Sequence, residues 1–391
     1  MTACSGSKPA QHAADTASVV ASRSITQVVA DGESCALTSA GLAYCWGGYD
    51  SVVRSVPQPF ADTVRWQALF PGWRWGCGVS AVGRTLCWGR NRSGQLGIPP
   101  DSATAHSLTA VQGLPSLSTI AIGLDHACGL ALSGELYCWG ANGDGELGHG
   151  TRALWEPPGP VAGRVRFFRV AAWSSTSCAL AVDGRLYCWG LDHSGVLGDS
   201  ADVCSEARPA TEYDGPMPAV GCSSVPRPVE TALRFVEIVF NHHGQPCGLT
   251  SAGGVHCFEP REVRQGGSHV LRAAEYQLTG GPFVSMTGGG HWCGLAADSS
   301  AYCWGRNSDG ELGVGTYDQA HYAPVATPVV GGRRFRTVSA GSGHTCGLST
   351  DAQVYCWGSN DNGELGDGTT RRSPIPVLVR FPVEGTNEPE R

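Results

Sequence analysis

The chain has 391 residues and a net charge of −7, from 27 Lys and Arg against 34 Asp and Glu. That balance excludes the clustered basic surface of a nucleic-acid binder, and no apolar run approaches the ~20 residues of a membrane span. Gly accounts for 55 residues and charged residues for 16% against a usual ~25%, which together with many short apolar runs argues a turn-rich all-β protein.

Residues 1–24 read as an N-terminal tail. Its opening, Met1-Thr2-Ala3-Cys4, resembles the end of a bacterial lipoprotein signal, in which a small residue precedes a lipid-modified cysteine. The apolar stretch of such a signal is missing. Lipid attachment through Cys4, which would tether the chain to a membrane without inserting it, and a plain unpaired cysteine are both open.

From residue 25 to residue 383 one pattern recurs. Cys, nine residues, Cys appears at Cys35/Cys45, Cys77/Cys87, Cys128/Cys138, Cys178/Cys188, Cys247/Cys257, Cys293/Cys303 and Cys346/Cys356. Successive first cysteines lie 42, 51, 50, 69, 46 and 53 residues apart. That period suits one propeller blade per repeat. Fixed pairs argue for disulfides and an oxidising compartment. Reduced, buried thiols are the alternative. Zinc fits poorly, because structural sites space their ligands more closely.

The third repeat shows how a blade is expected to fold. Centring a hairpin on Ser133 sets Cys128 opposite Cys138, Gly129 opposite Tyr137 and Leu130 opposite Leu136. The three-residue loop then needs a left-handed third residue. Gly41, Gly83, Gly134, Gly184 and Gly253 supply it; Ser299 and Ala352 stand there in repeats six and seven. Ala is poorly suited to positive φ, so the last turn is expected to differ. Alternation puts the cysteines and leucines on one blade face and Gly129, Tyr137 and Trp139 on the other, with the glycine leaving room for the aromatic ring opposite. Trp46, Trp88, Trp139, Trp189, Trp304 and Trp357 are predicted core residues. A β-branched run ending in Gly, such as Val338-Ser339-Ala340-Gly341, precedes each hairpin and should be a further strand.

Two segments break the pattern. Residues 199–230 are an insertion holding Cys204 and Cys222, a candidate eighth bridge. Repeat five has Phe258 for the tryptophan and lacks the Gly-rich turn found at residues 142–148. Residues 384–391 read as a C-terminal tail.

The run Gly341-Ser342-Gly343-His344-Thr345-Cys346-Gly347-Leu348, then Tyr355-Cys356-Trp357-Gly358-Ser359-Asn360 and Gly363-Glu364-Leu365-Gly366, resembles the repeat of the regulator of chromosome condensation family. The resemblance covers about residues 25–380. It implies a closed seven-bladed β-propeller with four-stranded antiparallel blades; the cysteines are this chain's own addition. It does not imply a function, which a fold alone never fixes. The reading is of a bacterial, exported, monomeric member of the family. The sequence calls for no cofactor.

Two residues before the first cysteines stand Glu33, Trp75, His126, Thr176, Gln245, His291 and His344. With Trp73, Trp173, His243 and Trp292 nearby, the site candidates are Trp73, Trp75, His126, Trp173, His243, His291, Trp292 and His344. Aromatic residues on one ring face suit docking of a protein or glycan partner. The competing reading of the histidines is inter-blade hydrogen bonding. The competing function is an exported enzyme at the channel mouth near His291 and His344, with or without a metal held through imidazole.

Overall fold

The computed structural model describes residues 24–382 apart from 49–52, 102–105, 193, 199–201, 206–219, 241–243, 266–267 and 278–279. Cys4 and His243 therefore lie outside the described residues.

Seven antiparallel sheets follow one another along the chain, six of them meanders of four consecutive strands and the fourth carrying an extra edge strand. The first begins at Ile25 and the last ends at Leu378. Blade 3 is representative, with strands Leu117–Ile122, His126–Ala131, Leu136–Ala141 and Trp155–Pro160. Cys128 pairs with Cys138, Gly129 with Tyr137 and Leu130 with Leu136, the register expected from the hairpin. The two cysteine Cα atoms lie 4.1 Å apart and their sulfurs are bonded. Equivalent bridges cross the middle hairpin of the other six blades.

The hairpin turns hold one surprise. Gly134 has φ +82°, but Ala352 takes φ +66° and Ser299 +67° at the same position. The last turn therefore does not differ. The strands on either side fix its geometry, and the alanine accepts the left-handed conformation that glycine would take without steric cost.

Seven apolar clusters fill the seven spaces between blades. Cys128, Leu130, Leu136 and Cys138 face blade 4, where Phe167, Ala179 and Trp189 meet them. Trp139 and Ala127 face blade 2 and pack with Val79, Leu96 and Val111. The expected alternation is thus the wall between neighbouring blades. The glycine after the first cysteine leaves space for a different residue from the one expected. A Cβ on Gly347 would lie 2.6 Å from the Phe335 ring, and one on Gly129 would lie 2.3 Å from Leu117. The first residue of the innermost strand lies over this glycine, rather than the cross-strand tyrosine.

The ring closes between the last blade and the first. Ile25, Val28 and Trp46 share a cluster with Cys346, Cys356, Leu365 and Val379. Among the described residues no strand is exchanged between these blades, so closure rests on side chains and on loop contacts such as the Gly368 N–H donating to the Ser55 carbonyl at 2.9 Å.

The two irregular repeats are now explained. In blade 4 the insertion adds a fifth strand, Asp202–Ser205, paired on Val220–Pro228, and Cys204 is bonded to Cys222 across them. Blade 5 replaces the Gly-rich turn with a long hairpin, Val255–Gln265 with Ser268–Gln277.

Candidate docking face at the channel mouth

The innermost strands surround a central channel, and one end of it opens into a cavity of about 560 Å³. Its wall includes Val29, Leu69, Phe70, Ile120, Ile122 and Phe240, all from innermost strands. Its rim is formed by Trp173, at the end of an innermost strand, and by the loops that precede the first cysteines, including Asp31, Trp73, Leu124 and Ser342. Volume and lining match a preformed binding cavity, which typically spans a few hundred to about 1,000 Å³.

Trp73 and Leu124 stand on this rim 42% and 46% exposed. The Arg74 guanidinium lies 4.6 Å from the centre of the Trp73 ring, within cation–π range. Trp173 is partly buried; its six-membered ring lies where a Cβ on Gly244 of blade 5 would fall, 2.5 Å away.

The remaining described candidates lie inside the ring. Trp75 is 3% exposed and its Nε1 donates to the Leu124 carbonyl at 2.8 Å. Trp292 is buried and stacks on Trp304, with ring centres 6.3 Å apart. His126, His291 and His344 are buried between blades. His126 Nε2 meets Ser177 Oγ at 2.8 Å, His291 Nε2 meets Thr345 Oγ1 at 2.5 Å, and His344 Nε2 meets Ser34 Oγ at 2.7 Å. Each hydroxyl also donates to a glutamate carbonyl, of Glu146, Glu311 or Glu364. These five side chains present nothing to a partner. The structure corrects the expectation that they line the docking face: alternation along the second strand turns them into the wall between blades.

Burial lowers the titration of His126 and His344. Desolvation pushes His126 down to about 4, against an opposing hydrogen bond to the Ser174 backbone. His344 is likewise lowered to about 4 by burial, opposed by the charge of Glu364. Burial also raises Glu146 to about 7. At the rim, desolvation raises Asp31 to about 6 while the Ser342 hydroxyl, at 3.4 Å, pulls it back. Neutral, buried, hydrogen-bonded imidazoles suit wall-building and give no reachable base at the mouth.

Metal chemistry finds little support among the described residues. The group Glu33, Cys35 and Cys45 is close enough to share an ion, but its two sulfurs are bonded to each other. The histidine pair of blades 6 and 7 is engaged by Thr345 and Ser34.

Sequence reasoning missed Asp31 and Leu124. A signal for Asp31 was present. The run Val338-Ser339-Ala340-Gly341 ends in Gly, whereas the equivalent Val28-Val29-Ala30-Asp31 ends in Asp.

Seven disulfide-bridged blades closed around a channel with an apolar mouth define a β-propeller. Stretches within residues 118–180 and 298–386 match the regulator of chromosome condensation repeat. A model of the Regulator of chromosome condensation (RCC1) repeat matches residues 133–180, 298–348 and 351–386, and a second of the same description matches 118–146 and 335–364. The E3 ubiquitin-protein ligase HERC2 of Homo sapiens is 28% identical over 360 residues, which make up 87% of this chain but 7% of HERC2. The Ultraviolet-B receptor UVR8 of Arabidopsis thaliana is 28% identical over 318 residues, 79% of this chain and 57% of the receptor. The chain thus spans a small part of the first relative and little more than half of the second. The CRINKLY WD40 ectodomain of the Arabidopsis thaliana receptor kinase ACR4 superposes with a TM-score of 0.50 at 19% identity, over 93% of this chain and all of that one. That likeness concerns the fold.

Proposed function

We propose that this protein is an exported binding scaffold that docks a protein partner on the face carrying the channel mouth. The observation that carries the reading is the pairing of an apolar cavity with exposed Trp73 and Leu124 on its rim. Large apolar side chains held around a dry recess are the usual centre of an interface. The eight bridges, Cys204–Cys222 included, are consistent with an oxidising compartment. Export from a bacterium and a tether at Cys4 belong to this proposal, as does a monomeric state.

The test is affinity capture from the exported proteins of the source cell, with the parent chain and with Trp73→Ala. Loss of a specific captured protein on removing the indole supports the reading. Capture that ignores Trp73, or binding confined to a glycan array, sinks it. An enzyme at the mouth is the weaker alternative, because His291 and His344, its intended catalytic groups, are walled in between blades.

A further inference from the structure

One equivalent position per blade builds the narrow ring of the mouth. Its backbone N–H donates to the carbonyl of the residue two before the first cysteine: Asp31 to Glu33 at 3.1 Å, Gly72 to Trp75 at 2.9 Å, Gly123 to His126 at 2.8 Å, Gly289 to His291 at 3.0 Å and Gly341 to His344 at 2.8 Å. In blade 4 Trp173 holds the position, paired with Thr176. The blade 5 position is outside the described residues.

Four of these six residues are glycine, and crowding is the reason. A Cβ on Gly72 would fall 2.5 Å from Ile122, and one on Gly289 would fall 2.6 Å from the Ala340 carbonyl. Among the six described positions, Asp31 and Trp173 are those whose side chains enter the ring. They belong to blades 1 and 4, three apart in a ring of seven, so they close on an occupant from different sides.

We propose that this mouth receives an arginine side chain presented by the protein partner, an inference that rests on the docking reading above. Among the described residues lining the cavity, Asp31 is the charged one. A carboxylate and an indole around an apolar throat match the three parts of arginine. The planar cation pairs with the carboxylate and stacks on the indole, and the aliphatic stem lies along Leu69, Phe70 and Ile122. An acidic group would meet Asp31 with no cation among the described lining residues to offset it. A purely apolar group would desolvate the Asp31 carboxylate and leave it only the Ser342 hydroxyl at 3.4 Å. Discrimination therefore comes from what the site rejects as well as from what it holds.

The test is calorimetric titration of the intact protein with the capped peptide Leu-Arg-Leu. The same peptide carrying citrulline or Glu in place of Arg is the control. Binding of the arginine peptide alone is expected, weakened about tenfold or more by Asp31→Asn, a loss of ~1.4 kcal/mol or more. Trp173→Leu is expected to weaken it as well. No binding by the arginine peptide, or equal binding of the citrulline peptide, overturns the inference on the unaltered protein, whatever the variants do. If Trp73→Ala abolishes partner capture while Asp31→Asn leaves it intact, the docking face stands and the arginine falls.

Discussion

His344 of the last blade meets Ser34 of the first, Nε2 to Oγ at 2.7 Å, and closes the ring. Ser34 then donates to the Glu364 carbonyl, which also accepts from Trp46 Nε1 at 2.8 Å. The histidine-to-hydroxyl-to-carbonyl part of this relay also joins blades 3 and 4 through His126 and Ser177, and blades 6 and 7 through His291 and Thr345. Where the first residue is not histidine, the next blade has no hydroxyl: Gly76, Ala127, Pro246 and Trp292 occupy the position. Histidine and hydroxyl come together or not at all, because each supplies the buried partner the other needs.

A double-mutant cycle on His344→Ala and Ser34→Ala should expose this relay. Each single change is expected to cost about 1–3 kcal/mol, since it strands a buried polar group. The coupling should be at least ~0.5 kcal/mol, as for side chains in direct contact. Strictly additive urea unfolding energies would show that closure does not depend on the pair.

Trp139 is fully buried and its Nε1 donates to the Gln95 carbonyl at 2.9 Å. Trp139→Ala is expected to cost ~3–5 kcal/mol, the usual range for emptying an aromatic core position. An unchanged melting temperature would remove Trp139 from the core.

The hairpin turns allow a test by exchange. Ala352→Gly should stabilise the chain by about 1 kcal/mol, because a left-handed alanine costs roughly 1–2 kcal/mol. Gly134→Ala should destabilise it by a similar amount or more, since its Cβ would also lie 3.1 Å from the Phe167 carbonyl. Equal melting of both variants and the parent would contradict a left-handed backbone at these two turns.

Reduction should loosen every blade. Each of the seven hairpin bridges joins cysteines 10 apart in sequence, for which chain entropy gives roughly 2.7 kcal/mol per bridge before strain and without additivity. Denatured, unreduced protein is expected to show few free thiols, and reduced protein to melt well below the oxidised form. Free thiols throughout would overturn the oxidising compartment.

Acid should weaken the histidine walls. Folded His126 and His344 sit near 4, below the ordinary 6.5, so the unfolded chain takes up their protons first. Their contribution is present above about 6.5 and lost as pH falls towards 4, at roughly 1.4 kcal/mol per pH unit per proton. Glu146, near 7, and Asp31, near 6, act in the opposite sense, gaining stability as they protonate. Subtracting the profile of His126→Gln from that of the parent cancels the carboxylates. The parent is expected to lose more stability between pH 6.5 and 4.5, and parallel profiles would contradict a neutral buried His126.

Sequence alone determined the blade. The constant Cys-to-Cys spacing fixed each middle hairpin, its register and the bridge across it, and the sevenfold repeat fixed the ring. Period-two alternation assigned Trp139 to one face and Cys128 to the other, because a strand has only two faces. Tertiary structure decided which groups point into the channel, since the rim and the wall between blades are adjacent positions in the chain. His126 and His344 lie two residues before a cysteine and turn into the wall, whereas Trp73 and Asp31 lie four before and reach the mouth. Blades 1 and 6 have one residue fewer between innermost strand and cysteine than blades 2, 3, 4 and 7, so counting back from the cysteine could not align Asp31 with Trp173. Only the closing of the ring sets that carboxylate and that indole around one opening, because contacts between blades 1 and 4 have no signature in a local repeat.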